Sequence, residues 1–251
     1  MDEVLLPEWA NVRFALCGDW QWQPVGGTRI AFAGASLFGP SSKGARIMAG
    51  VGSSMIGFGL MPLGWALLSG GAARQVADRV VALEEIWPEL AALHPALVAA
   101  PDMASRVDLV EAVIKARLEE APPPSPLLVD IHHLLGQSDV TTTAALAARV
   151  GVSLRTLERV CEACFGFGPK RLMRRQRFLR TLDIMLSTPD QPLSALVTGE
   201  YVDQSHFIRE FRSFMGLSPT EYLALPREVM RRAARARWQL QGQSVPAQAP
   251  R

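Results

Sequence analysis

The sequence predicts an α+β protein: a small β-rich amino-terminal domain followed by an all-α domain with two helix-turn-helix units joined by a linker helix. Three observations carry this. Short apolar runs separated by Gly, Pro and Ser clusters fill residues 1–62, the pattern of brief strands and turns. A proline run, Ala121-Pro-Pro-Pro-Ser-Pro126, then interrupts the chain, since proline lacks an amide donor and disfavours helix in the residue before it. Beyond it, two segments repeat one design of capped helix, turn and capped helix.

In the first part, Val12–Leu16, Thr28–Phe32 and Ser54–Phe58 are the expected strands. After Pro62 the periodicity becomes helical, over Leu63–Ser69, Ala73–Ala82 and Leu83–Leu93. A helix over about Met103–Glu119 follows, capped by Asp102, with Val107, Val110, Ile114 and Leu118 on one apolar face. These features divide the chain into a sensor domain at 1–120, a Pro-rich linker at 121–126, a helical domain at 127–226 and a basic tail at 227–251. In that tail Arg227–Trp238 reads as a basic helix and Gln241–Arg251 as disordered.

Charge follows the same boundary. The net charge of +2 conceals −4 over residues 1–125 and +5 over residues 126–250, with Arg251 adding the remainder. A basic half fused to an acidic one suits a polyanion-binding domain joined to a sensor. The three cysteines cannot build a disulfide framework, and no basic, apolar leader opens the chain, so a reducing cytoplasmic location is expected. Cys161 and Cys164 form a CxxC inside a helical pattern with no second ligand pair, so they read as core and no metal or cofactor is expected. The stretch Ile47–Ala73 carries no charge, but its glycines and Pro62 suit turns between buried strands better than a membrane span.

The first repeated unit begins at Thr141-Thr-Thr-Ala-Ala-Leu-Ala-Ala-Arg-Val, turns at Gly151, and continues from a Ser153 cap through Leu154–Phe165. Leu146, Val150, Leu157 and Val160 form its expected core, leaving Arg155, Glu158 and Arg159 on the outer face of the second helix. In the second unit, Pro192–Gly199 is a weaker first helix. Asp203 caps Gln204–Met215, where Phe207, Phe211 and Phe214 share a face and Ser205, His206 and Arg209 point outward. Between the units lies Lys170–Leu186, with Lys170, Arg171, Arg174, Arg175, Arg177 and Arg180 and no acid before Asp183. Such a helix has the charge to contact phosphates and fix register without reading sequence.

Ser153-Leu-Arg-Thr-Leu-Glu-Arg, Phe165-Gly-Phe-Gly-Pro-Lys, Asp203-Gln-Ser-His-Phe-Ile-Arg-Glu-Phe and Gly216-Leu-Ser-Pro-Thr-Glu-Tyr resemble the AraC-type DNA-binding domain over residues 126–226. That resemblance implies a bacterial transcriptional regulator with seven helices in this domain and two recognition helices entering successive major-groove segments. By position, it puts base contacts at Arg155, Glu158, Arg159, Ser205, His206 and Arg209. Phosphate contacts are expected at Thr156, Lys170, Arg171, Arg174, Arg175 and Gln204. Arg159 and Arg209 have the fork geometry to bond guanine, and Glu158 can accept from cytosine. The implied partners are double-stranded promoter DNA and RNA polymerase, with a small-molecule effector and a homodimer as further expectations and no membrane.

The second unit departs from the family pattern. The family's small residue and turn glycine fall on Leu196 and Glu200, with Gly199 one residue early. This shortening motivates a competing reading, a protein-interaction adaptor whose helix-turn-helix units no longer read DNA; the salt dependence of DNA binding separates the two.

In the amino-terminal half, Gly39-Pro40, Ile56–Pro62 and Asp78–Trp87 resemble a small β-rich domain that often precedes this DNA-binding domain. Trp9, Trp20, Trp22, Trp65 and Trp87 either line an apolar effector pocket or are core. An enzyme is not expected. His94, His132, His133 and His206 are scattered, no HExxH, GxSxG or P-loop pattern occurs, and Cys17 beside Asp19 lacks the zinc site of alkyl-transfer proteins.

Overall fold

A computed structural model describes residues 1–188, 191–193 and 200–226. The expected helix at Pro192–Gly199, including Leu196 and Gly199, and everything expected of 227–251 lie outside the described residues, wholly or in large part.

The amino-terminal part is built on one antiparallel sheet. Its strands are β1 (Asp2–Leu5), β2 (Ala10–Pro24), β3 (Ile30–Phe38), β4 (Ala45–Ala49), β5 (Ser54–Leu60) and β6 (Val80–Ala82). They run in the order β1-β4-β2-β3-β6, with β5 pairing β2. Strand β2 serves both β5 and β4 because it bends in its middle. Ala10–Ala15 pairs with Leu60–Met55, the register then shifts, and Trp20–Pro24 pairs with Ala49–Ala45. Two glycines permit the bend: Gly18 (φ 85°) on β2 and Gly34 (φ 62°), which faces Ala15 from β3. At Gly18 a Cβ would also stand 2.1 Å from the Ser53 hydroxyl oxygen, so no other residue fits there without displacing the neighbouring turn.

The register shift in β2 turns its even-numbered side chains from one core to another. Ala10, Val12 and Phe14 are buried with Leu37, Trp65, Trp87, Leu90 and Leu97. Helices α1 (Pro62–Leu68), α2 (Pro88–Ala91), α3 (His94–Ala99) and α4 (Met103–Glu120) contribute to this core. Beyond the bend, Trp20 and Trp22 join Leu5, Phe32, Phe38 and Ile47. With Trp9 packed against a third core, the five tryptophans are divided among three clusters and do not line one pocket.

Two expected helices are corrected. Over Ala73–Ala82 the chain makes a 3₁₀ turn, Ala73–Gln75, and then strand β6. The β-branched pair Val80-Val81 finds the free edge of β3, and tertiary pairing overrides the local alanine-rich pattern. Over Leu83–Leu93 the helix is reduced to a 3₁₀ turn at Leu83–Glu85 and the short α2, because Pro88 can occupy only a first turn. Helix α4 forms where expected, with the Asp102 carboxylate accepting from the Ser105 amide at 2.8 Å. Its contact face is rotated, however: Val110, Val113 and Ile114 pack inward, while Val107 and Leu118 are exposed. Among the described residues no helix is long and apolar enough to cross a membrane. The uncharged Ile47–Ala73 stretch holds β5 and α1.

After Ala121 ends α4, Pro122–Ser125 is irregular and Pro126 opens α5 (Pro126–Gly136). Then come α6 (Thr143–Arg149), α7 (Leu154–Phe165), α8 (Pro169–Ser187), α9 (Gln204–Met215) and α10 (Pro219–Ala224). Leu128, Ile131, Leu146, Leu157, Cys161 and Phe165 bury one core with Leu172 from the start of α8. Phe178, Leu182 and Met185 from later in α8 bury a second with Phe207, Phe211, Phe214 and Tyr222. One long helix thus has its two ends in two different cores, and this fixes the units relative to each other.

The sheet domain is docked on both units. Val4 and Leu6 belong to the second unit's core, and Trp9, Leu63 and Ala77 pack against the first. Gly44 donates its amide to the Phe214 carbonyl at 2.8 Å. At the end of α7, Gly166 (φ 86°) faces Pro40 and Ala77 so closely that a Cβ would stand 3.1 Å from the proline ring.

Candidate nucleic-acid interface

Helix α7 is fixed at its start by two caps in succession. The Thr142 hydroxyl accepts from the Ala145 amide to begin α6, Gly151 (φ 70°) makes the turn, and the Ser153 hydroxyl accepts from the Thr156 amide to begin α7. With Leu157, Cys161 and Phe165 fully buried beneath, Arg155, Glu158 and Arg159 are exposed on the opposite face. Thr156 is half-buried and its hydroxyl is within 3.0 Å of the Ser153 hydroxyl, inside the cap. Burial pushes the Cys161 thiol up to about 12 and also raises Cys164, as expected of core cysteines. Among the described residues no cluster of His, Cys, Asp and Glu could hold a metal ion.

Helix α9 repeats the arrangement. Asp203 caps it through the His206 amide, Phe207, Phe211 and Phe214 are buried, and Gln204, Ser205 and Arg209 are exposed. His206 differs from its neighbours: it is half-buried, with its ring edge-on to Tyr201 at 5.2 Å.

On α8 the basic residues divide into two sets. Lys170 and Arg171 are exposed, Arg171 lying over the Phe167 ring at 5.2 Å. The later arginines are engaged with other groups of the protein, although Arg174 stays exposed. Arg174 and Arg177 both donate to Glu210 of α9, at 2.8 and 2.9 Å, and Arg180 donates to Glu200 at 3.2 Å. Glu200 thus has a structural role at the position where the family pattern usually has glycine.

Arg175 is a correction. It was expected on a phosphate, yet it is 2% exposed and its guanidinium lies 3.6 Å from the Trp9 ring centroid. It donates to the carbonyls of Glu8 and Ser41, both at 3.3 Å. Burial pulls its pKa down to about 9, which still leaves a cation at neutral pH. From the sequence it is one arginine among five on the helix. In the fold it sits on the face that the amino-terminal domain covers, where stacking on an indole offsets part of its lost hydration.

Glu210 was missed from the sequence. It is 4% exposed and accepts from Arg174, Arg177 and the Tyr201 hydroxyl. Burial alone would raise its pKa, but the hydrogen bonds from Arg174, Arg177 and Tyr201 outweigh it and hold the carboxyl below its ordinary value. The signal was present in the spacing. Position 210 shares the face of Phe207, Phe211 and Phe214, and an acid on an apolar stripe opposite an arginine-rich helix implies a buried pair.

Between α7 and the start of α8 runs an open groove of about 720 Å³, lined by Leu154, Glu158 and Glu162 from one side and Lys170, Arg171 and Arg174 from the other. Arg74 of the amino-terminal domain also borders it.

Residues 146–224 match the family model of a helix-turn-helix domain. This segment is an AraC-type helix-turn-helix domain. The AraC-type segment takes in both capped helices α7 and α9 and the whole of α8, and it makes the protein a DNA-binding transcriptional regulator. Among solved structures, ToxT from Vibrio cholerae is similar at 12% identity over 89% of this chain and 93% of its own, with a TM-score of 0.50. A second ToxT structure, at 11% identity, covers 89% of this chain and 92% of its own with a TM-score of 0.46. A ToxT structure with an unsaturated fatty acid bound, at 12% identity, covers 89% and 90% with a TM-score of 0.47. At these identities the likeness is one of fold, and it takes in the sheet domain as well as the AraC-type domain. No curated protein matches the chain in sequence.

Proposed function

We propose that the protein reads double-stranded promoter DNA with α7 and α9, each laid in a major-groove segment, and that its amino-terminal domain governs this reading. Arg155, Glu158 and Arg159 meet base edges from the first unit, and Ser205, His206 and Arg209 from the second. Thr156, Gln204, Lys170, Arg171 and the solvent-facing part of Arg174 meet phosphates. The observation that carries the proposal is the AraC-type match over two helices whose outer faces remain polar and exposed. On both helices the apolar side is consumed by the core, so the outer side chains are the ones left for a groove.

Control is proposed to act through docking. Val4, Leu6 and Trp9 pack into the two units, so a small-molecule effector or a second copy of the chain that shifts this contact would change how the units are held. RNA polymerase is the proposed partner of the DNA-bound form. Selection of binding sites from a random duplex pool tests the reading. Enrichment of two short elements centred about 10 base pairs apart supports it, and no enrichment over the starting pool rejects it.

A further inference from the structure

We infer that the amino-terminal domain itself touches the DNA backbone, through Arg74, so that the sheet domain forms part of the DNA interface. The inference rests on the proposed reading of α7 and α8 as DNA-contacting helices and extends it to a residue outside them.

Arg74 occupies the 3₁₀ turn Ala73–Gln75, which packs against α7. Ala73 is fully buried while Arg74 is exposed, so the turn is anchored on one side and the arginine is directed outward beside the recognition helix. Its side chain borders the groove at the stripe formed by Leu154, Glu158 and Glu162, which recur every fourth residue along α7. Lys170, Arg171 and Arg174 border the same groove from α8.

Arg74 makes no side-chain hydrogen bond or ion pair among the described residues, although two glutamates line the same groove. Other arginines of its domain are engaged: Arg13 with Glu8, Arg46 with Asp2, Arg106 with the Leu97 and Ala100 carbonyls, and Arg117 with the Leu68 carbonyl and Glu89. Four cations, of which Arg174 is paired with Glu210, face two carboxylates in a trough that is open to solvent. Cations spread along an open groove suit an extended polyanion better than a small anion, which needs donors converging in an enclosed site. Duplex DNA carries one negative charge per about 1.7 Å of axis. A helix lying in the major groove brings phosphates to both of its flanks. Lys170 and Arg171 serve the flank on α8, and Arg74 is a further cation, supplied across the domain boundary.

The experiment titrates the full chain with one duplex carrying the selected site, and with scrambled duplex, across a salt series read by fluorescence anisotropy. Wild type, Arg74→Ala, Arg74→Lys and Arg171→Ala are compared, with thermal unfolding confirming that each is folded. Loss of one phosphate contact lowers the slope of log affinity against log salt by about 0.9. Arg74→Ala is expected to show that decrease and Arg74→Lys to retain the wild-type slope. The ratio of affinities for selected and scrambled DNA stays unchanged, since a phosphate contact carries no sequence information. A reduced slope for Arg171→Ala beside an unchanged slope for Arg74→Ala would overturn the Arg74 inference and leave the reading of α7 and α8 standing. A wild type without salt-dependent DNA binding would overturn both.

Discussion

Replacing Glu210 by glutamine should loosen the attachment of α9 to α8 without changing side-chain size. The carboxylate is 4% exposed and receives Arg174 at 2.8 Å, Arg177 at 2.9 Å and the Tyr201 hydroxyl at 2.8 Å. Removing one partner of a buried, hydrogen-bonded pair costs about 3–5 kcal/mol. Here Arg174 and Arg177 are 46% and 30% exposed, so water recovers part of their hydrogen bonding. The expected loss is therefore about 2–3 kcal/mol, below the fully buried case. For a chain of this length that lowers the melting temperature by roughly 5–10 °C. The pH dependence supplies a second check. Because the folded pKa of Glu210 lies below its unfolded value, its stabilisation is present above the unfolded carboxylate pKa of about 4.3. It is lost as pH falls through the folded value. Thermal melts followed by circular dichroism should show wild type and Glu210→Gln well separated at pH 7 and converging in acid. A difference under about 0.5 kcal/mol at pH 7, the size of an ordinary surface change, would refute the claim that this cluster holds the second unit. So would a gap that stays constant into acid.

Gly166→Ala forces a side chain into a positive-φ position (φ 86°) and against Pro40 and Ala77, so it should destabilise by more than about 1 kcal/mol. Faster proteolysis between the domains would check that the docking contact is what gives way. His132 is half-buried against Trp9 and Phe165, and its partial burial, with a smaller effect from His133, lowers its pKa. A His with a lowered folded pKa contributes stability above its unfolded pKa of about 6.5 and loses it as pH falls toward the folded value. Melting temperature should therefore drop between pH 7.5 and 5.5 in wild type, and drop less in His132→Phe.

The helices with clear punctuation were legible in the sequence. Asp102, Thr142, Ser153 and Asp203 each cap the helix that follows them, and the glycines after α7 and α9 end those helices in the left-handed conformation. The outward faces at Arg155, Glu158, Arg159, Ser205 and Arg209 follow from the same periodicity. Pairings between distant segments were not legible. Val80–Ala82 reads locally as helix and becomes a strand because β3 offers a free edge. Arg175 and Arg174 are adjacent and chemically identical, yet one is buried on Trp9 and the other reaches Glu210. Their roles are set by which side of α8 the amino-terminal domain covers, a fact that no local pattern contains. The tryptophans show the same limit, since composition groups them in one half while the sheet's two faces and the docking contact divide them among three cores.

The most direct test of the central claim measures affinity for the selected duplex and for scrambled duplex at fixed salt, with Arg159→Ala beside the wild type. Arg159 is exposed on α7, and the proposed reading has its guanidinium bond a guanine edge. The account predicts that wild type prefers the selected site and that Arg159→Ala weakens that binding by about 1–3 kcal/mol, with much less effect on scrambled DNA. Equal affinity for both duplexes, unmoved by the substitution, would contradict base reading by the first unit.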